Sequence, residues 1–407
     1  MQAIVLLVSG LWMMTPSLFG AERRYDPAMR PPVIHDPPGP EYADDWRMFQ
    51  GIPTIERTRT GRLWAAWYAG GATEDPFNYV PLVTSADDGH TWSEPKLVLD
   101  IPDFGRTWDP NLWLDPDGRL WFFWTQSVGH WDGRGGVWCM VSQNPGAERP
   151  RWSKPRRLAD GVMLNKPIVL RNGAWLLPVA MWPQPPNIES INKRHMLGLS
   201  AAAIQALTFE HPDRGLSMVY ASRDKGKTFQ RIGHAVIPDV GHNEHMLIER
   251  RDGSLWMLAR TAYGIAESFS SDGGKTWTVG RNSGIPHPVA RFHIRRLNSG
   301  NLLLVRHNSP MPGKTGMKPR THLTAYLSED DGRTWLGGLL LDDRTAVSYP
   351  DAAPASDGRI FVIYDHNRHS DREILMAVFR EEDARAGRAV STGVRLRVLV
   401  NKGAKDR

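Results

Sequence analysis

A chain of 407 residues with 41% hydrophobic content can bury a sizeable core, as one large domain or as two to three ordinary ones. Its 38 Gly, 31 Pro and 17 Trp, with apolar runs that rarely reach helix length between breakers, point to one all-β body. The formal charge of +6 favours an anionic partner; the dispersed Lys and Arg argue against nucleic acid, and the single cysteine excludes an internal disulfide.

Residues 1–21, MQAIVLLVSGLWMMTPSLFGA, are an apolar stretch closing on the small residues Gly20 and Ala21. They read as a secretory signal peptide, so the protein is expected to be secreted or periplasmic. A membrane anchor is the competing reading; Ser9, Gly10, Thr15 and Pro16 weigh against it, since a span needs about 20 apolar residues. Residues 22–44 are then an N-terminal extension, and 45–400 the folded domain.

From residue 60 onward two elements alternate. The first is a polar residue and glycine leading into an apolar run: TGRLWAAW at Thr60, DGRLWFFW at Asp117, NGAWLLPV at Asn172, DGSLWMLA at Asp252, SGNLLLVR at Ser299 and DGRIFVIY at Asp357. Each predicts a tight hairpin turn entering a buried strand, with glycine supplying the positive φ. The spacing is even except between Gly173 and Gly253, which places an insertion between Trp182 and Arg214. That insertion reads either as a lid over a substrate, with Trp182 suited to stacking on sugar, or as a variable loop.

The second element begins at Ser85-Ala-Asp87-Asp-Gly89-His-Thr-Trp92 and returns at Ser222 to Phe229, Ser270 to Trp277 and Ser328 to Trp335; Ser142-Gln-Asn144 with Trp152 is a worn copy. In this pattern the Asp can accept hydrogen bonds from turn amides, Gly takes the left-handed position and the aromatic residue covers the hairpin. Cys139, in the run GVWCMV between these elements, is expected to be buried and inert.

Nine residues before the turn glycines stand Asp109, Glu244, Arg291 and Tyr349, while Gly61 gives Ile52 beside Gly51, and Gly173 gives Leu164 beside Asn165 and Lys166. In a wheel of sheets these positions start the innermost strands and converge on one depression. Two acids, an arginine and a tyrosine there suit binding and cleavage of an acidic sugar; the alternative is a set of solvated residues at strand starts.

The second element resembles the Asp boxes of sialidases and other bacterial-neuraminidase-repeat proteins. The resemblance implies a six-bladed β-propeller of four-stranded blades over residues 45–400. It extends to the site. Asn243-Glu244 with Leu258-Ala259-Arg260 resembles the family's glutamate and following arginine, Arg320 stands ahead of an Asp box as a family arginine does, and Ser348-Tyr349-Pro350-Asp351 resembles its tyrosine segment. The resemblance implies that Tyr349 is the nucleophile and Glu244 its general base. A sialic acid carries its carboxylate on the anomeric carbon and repels an anionic nucleophile, whereas a neutral phenol avoids that charge.

The chain departs from the family at Phe49-Gln50-Gly51-Ile52-Pro53, where sialidases carry an arginine before Ile-Pro. Arg291 or Arg47 is the expected substitute. In the loop AGGATEDPFNYV, Asp75 is the nearest match to the family's acid/base, with Glu74 beside it and Asp109 as a rival. The segment Ile363 to Ile374 could bring His366 or Arg368 to the pocket. His242 and His245 lack a third metal ligand in the sequence. These readings predict a secreted, exo-acting, retaining hydrolase of a terminal acidic sugar, sialic acid first, acting as a monomer on a glycan without cofactor or metal. The alternatives are a non-catalytic carbohydrate-binding propeller and a hydrolase of a uronoside or a neutral glycoside on the same scaffold.

Overall fold

The computed structural model describes residues 29–102, 105–128, 135–183, 211–309 and 319–404. The proposed signal peptide at 1–21 and most of the expected insertion, residues 184–210, lie outside the described residues. Within them the chain is an all-β, six-bladed, sialidase-like propeller.

Each blade is an antiparallel sheet of strands consecutive in sequence. The innermost strands are Gln50–Arg57, Gly105–Leu114, Ile168–Val169, Met246–Glu249, His293–Arg296 and Val347–Pro354. Five blades have four strands. The first has five, because Val33–His35, from the N-terminal extension, pairs with the outer strand Leu97–Asp100.

All six hairpin glycines hold φ between 83° and 94°, which satisfies the turn between first and second strands. The Asp boxes join third to fourth strands, and their geometry repeats. In the first, Asp87 accepts from the Thr91 amide (2.9 Å) and hydroxyl (2.7 Å), while Ser85 Oγ accepts from the Gly89 amide at 2.8 Å. These donors hold the Asp87 carboxyl down at about 2. The worn copy keeps the turn, with Asn144 Oδ1 accepting from the Arg151 amide at 2.9 Å. Blade 6 replaces the box with the short helix Glu381–Ala386.

Hydrophobic packing lies between blades. Trp121 of blade 2 meets Trp175 of blade 3 edge-on, with ring centroids 5.5 Å apart. A Cβ on Gly226 of the blade 3 box would come within 2.4 Å of Trp121, so the box glycine also lets neighbouring blades close up. Cys139 is buried in this layer, and burial pushes its thiol up to about 12, which keeps it protonated and inert.

Among the described residues no strand is exchanged between blades 6 and 1; the seam is held by side chains and by two backbone bonds, from the Gln50 amide to the Arg368 carbonyl (3.3 Å) and from the Ala404 amide to the Arg47 carbonyl (3.1 Å). Asp351 accepts from Thr54 Oγ1 (2.7 Å) and the Ile55 amide (2.9 Å), Asp365 from the Ile52 amide (2.8 Å), and Gln50 Nε2 donates to the Arg372 carbonyl (2.6 Å). The hairpin turns and Asp boxes occupy one face of the disc. Inner-strand entrances and the loops between second and third strands occupy the other, and there the central depression opens.

Candidate active site

The inner strands do not simply run into the depression; several bend at its rim. Ile52, Asp109, Glu244 and Tyr349, the equivalent positions of blades 1, 2, 4 and 6, all have positive φ (55°, 45°, 36° and 54°). The ladder shifts register at this point in blades 1, 2 and 6. In these three the next residue is Pro53, Pro110 or Pro350, which has no N–H to leave unpaired in the bulge. A left-handed backbone at a non-glycine residue costs on the order of 1–3 kcal/mol, and here it re-aims an acid, a second acid and a phenol toward one point.

That point is a cavity of ≈ 210 Å³ lined by Tyr68, Glu74, Arg106, Trp108, Asp109, Trp182, His242, Glu244, Arg260, Arg320, Tyr349 and Arg368. At its base the Tyr349 hydroxyl donates to Glu244 Oε1 at 2.8 Å. Arg260 Nη1 donates to the same oxygen at 2.6 Å and to the phenol oxygen at 2.9 Å. Glu244 Oε2 is buried and accepts no hydrogen bond from the described residues. The Tyr349 ring carries Arg368 at 4.4 Å and Arg320 at 5.6 Å from its centroid. Burial and the Glu244 charge push the phenol up to about 12, and the three arginines pull against that rise. At neutral pH the resting phenol is therefore un-ionised.

Burial, together with the charges of Glu244 and Glu74, drives Asp109 well above the usual carboxylate range against the pull of Arg106 and Arg291, which favours its protonated form. Glu74 pairs with Arg368 at 3.3 Å. Arg320 is a half-buried cation that donates to the Val289 carbonyl at 2.9 Å and has no carboxylate partner among the described residues. One wall is aromatic: Trp182 packs on Trp108 (5.2 Å) and on His242 (4.7 Å). Burial, with Arg260 nearby, lowers the His242 pKa and keeps the ring neutral.

Two expected site residues lie elsewhere, and a third expected substitute does too. Asp75 turns away from the cavity into its own loop, where it accepts from the amides of Ala72 (3.1 Å), Thr73 (3.4 Å) and Phe77 (2.9 Å), while the neighbouring Glu74 faces the pocket. Arg291 lies beneath the floor, donating to Asn165 Oδ1 (2.7 Å) and the Leu164 carbonyl (3.1 Å), because blade 5, like blade 3, lacks the left-handed residue that re-aims the entrances of blades 1, 2, 4 and 6. Its work is indirect: Asn165 Nδ2 donates to the carbonyls of Glu244 (2.8 Å) and His245 (3.0 Å). Arg47 is buried at the seam, bonded to Asn401 and to the Tyr42 carbonyl. His245 Nε2 donates to the Met218 carbonyl (2.9 Å) and His242 packs edge-on against Trp182, so the two rings do not converge.

Sequence reasoning did not find Tyr68, Arg106 or Trp108. The signal existed: Tyr68 stands seven residues after its turn glycine, as Arg260 does after Gly253, and Arg106 and Trp108 share the inner strand of Asp109.

A family model described as BNR repeat-like domain matches residues 61–362. No curated protein matches the chain. Among solved structures, it is similar to a Dyadobacter fermentans protein of unknown function (20% identity, TM-score 0.60, covering 80% of this chain and 93% of that one). It is also similar to the Ruminococcus gnavus intramolecular trans-sialidase solved with oseltamivir carboxylate (14%, 0.61, 85% and 97%) and to the Penicillium chrysogenum α-L-arabinanase solved with arabinobiose (14%, 0.53, 82% and 94%).

Proposed function

We propose, on the premise that this chain belongs to the BNR repeat-like domain family, that it is an exported, exo-acting, retaining glycoside hydrolase releasing a terminal acidic sugar, sialic acid first among the candidates. The observation that carries the reading is the Tyr349 hydroxyl donating to Glu244 Oε1 at 2.8 Å, with Arg260 bound to both. In the first step the phenol oxygen attacks the anomeric carbon while its proton passes to Glu244, and the bond from that carbon to the leaving oxygen breaks. Asp109, whose raised pKa favours the protonated form, gives its proton to the leaving oxygen; it then takes one from the water that attacks the anomeric carbon, while the bond to the Tyr349 oxygen breaks and Glu244 returns its proton to the phenol.

Acidic sugars are favoured over neutral ones by charge. Four arginines and three acids line the cavity, and the raised pKa of Asp109 tips the balance further toward the cations. Arg320, without a carboxylate of its own, supports a ligand that brings one. Trp108 and Trp182 offer an apolar face for the sugar ring. The R. gnavus structure, which holds a carboxylated ligand, is consistent with this choice.

The test is release of free sugar by the purified protein from a panel of sialosides, uronosides and arabinosides. Turnover on sialosides that Tyr349→Phe abolishes is expected. Turnover confined to arabinosides would overturn the acidic-sugar assignment, and binding without turnover on any member would leave a carbohydrate-binding propeller.

A further inference from the structure

We infer that Gly51 and Arg368 form one specificity device: the missing side chain at Gly51 is the space through which Arg368, arriving from blade 6, enters the pocket as its third anion-binding arginine. The inference rests on the acidic-sugar reading above and names the part of the site that performs it.

Three observations carry it. A Cβ built on Gly51 would lie 2.6 Å from Arg368 Cδ and 2.8 Å from both Cγ and Nε, so any side chain at 51 forces this arginine out of its present position. The clash falls on the middle of the side chain, and Arg368 cannot swing aside freely because Nε donates to Asp365 Oδ2 (2.9 Å), Nη2 to Ser348 Oγ (3.0 Å) and Nη1 to Glu74 Oε1 (3.3 Å). Those bonds fix the guanidinium against the Tyr349 ring at 4.4 Å, beside Arg320 and Arg260.

The electrostatics agree with an anion subsite. Arg260 and Arg368 add to the burial that lowers the Arg320 pKa, so the three guanidiniums repel one another across the pocket. Glu244 answers Arg260, and Asp365 and Glu74 answer Arg368. The remaining cation is relieved by a ligand carboxylate. Gly51 thus decides which blade supplies the third arginine, and a side chain at 51 would expel the one now present.

The experiment measures binding of 2,3-didehydro-2-deoxy-N-acetylneuraminic acid by calorimetry to wild type, Gly51→Ala, Arg368→Ala, Arg368→Lys and the Gly51→Ala/Arg368→Ala double variant. Melting curves establish that each is folded. Each single alanine variant should weaken binding about tenfold or more, Arg368→Lys less than Arg368→Ala, and the double variant no more than Arg368→Ala alone, because residue 51 acts through Arg368. The wild type binding the probe while Arg368→Ala binds it equally well, or additive losses in the double variant, would overturn the inference and leave the acidic-sugar reading intact. No binding to the wild type would overturn that reading, and the inference with it.

Discussion

Replacing Glu244 with glutamine should slow turnover and tighten the hold on an anionic ligand at the same time. The amide keeps the shape of the carboxylate, and its oxygen can still accept from Tyr349 and Arg260, which now donate to Oε1 at 2.8 and 2.6 Å. What is lost is the charge. Without it the phenol, already raised to about 12, has no base to take its proton, and loss of such a base costs about 10²- to 10⁴-fold in rate. Arg260 also loses the carboxylate of a buried ion pair, a change worth about 3–5 kcal/mol of stability and here near the lower end because the hydrogen bond survives. A carboxylated ligand, however, no longer feels Glu244. At roughly 8 Å and an effective dielectric of about 20, removing that repulsion strengthens binding by on the order of 2 kcal/mol, roughly 30-fold. Urea denaturation, initial rates and calorimetry on Glu244→Gln read the three quantities separately. Unchanged turnover would refute the role of Glu244 as base, and weaker binding of the anion would refute the charge ledger of the pocket.

Asp109→Asn should depress turnover of alkyl glycosides far more than of nitrophenyl glycosides, whose leaving groups need little protonation; equal losses would remove Asp109 from the proton-donor position. Because its pKa is raised, wild-type activity should fall as pH climbs through that pKa, and this alkaline limb should be missing in the variant. Asp351→Asn should cost about 3–5 kcal/mol by urea denaturation, since it leaves Arg291 (3.6 Å) without its buried anion and Lys166 (3.0 Å) with only the more distant Glu56 (3.6 Å). Burial opposes the Asp351 charge, but Lys166, His293, Arg291 and the Ile55 amide more than offset it and depress the pKa, so the stabilisation is present above about pH 4 and lost as pH falls through the folded value. A stability gap between wild type and variant that stays constant down to pH 2.5 would contradict this assignment. Asp75→Ala, which orphans the loop amides, should speed proteolytic cutting between residues 70 and 79, whereas Glu74→Gln should leave cutting unchanged and alter ligand binding; the reverse would restore Asp75 to the pocket.

The repeat was legible because it is local. A turn glycine and an Asp box each satisfy their own hydrogen bonds within a few residues, so their spelling survives without knowledge of the rest of the chain. Counting from the turn glycines also located Asp109, Glu244 and Tyr349, since the strand length from turn to rim is set by the thickness of the disc. The same count misplaced Arg291, because it assumes a common backbone at the rim, and whether a strand bulges there depends on contacts with neighbouring blades. Asp75 and Glu74 could not be told apart from sequence: which of two adjacent acids faces the cavity is decided by amides donated from Ala72 and Phe77. Arg368 was named but could not be tied to Gly51, which lies at the other end of the chain and meets it only when the ring is closed.

That closure explains why the unusual arginine sits where it does. With no strand swapped across the seam, blades 6 and 1 depend on blade 6 carboxylates to satisfy blade 1 amides: Asp365 takes the Ile52 amide and Asp351 the Ile55 amide. The Ile52 amide lies in the bulge between the paired residues Gly51 and Thr54, and Ile52 and Ile55 are both buried away from water. Once Asp365 is committed to that position, its second oxygen binds Ser348 and its first also receives Arg368, so the seam itself builds the socket that aims the guanidinium at Tyr349. Arg368 and Tyr349 flank this socket on blade 6, and Gly51 comes from blade 1. The proposed anion subsite therefore draws on both sides of the seam, so its completion depends on ring closure.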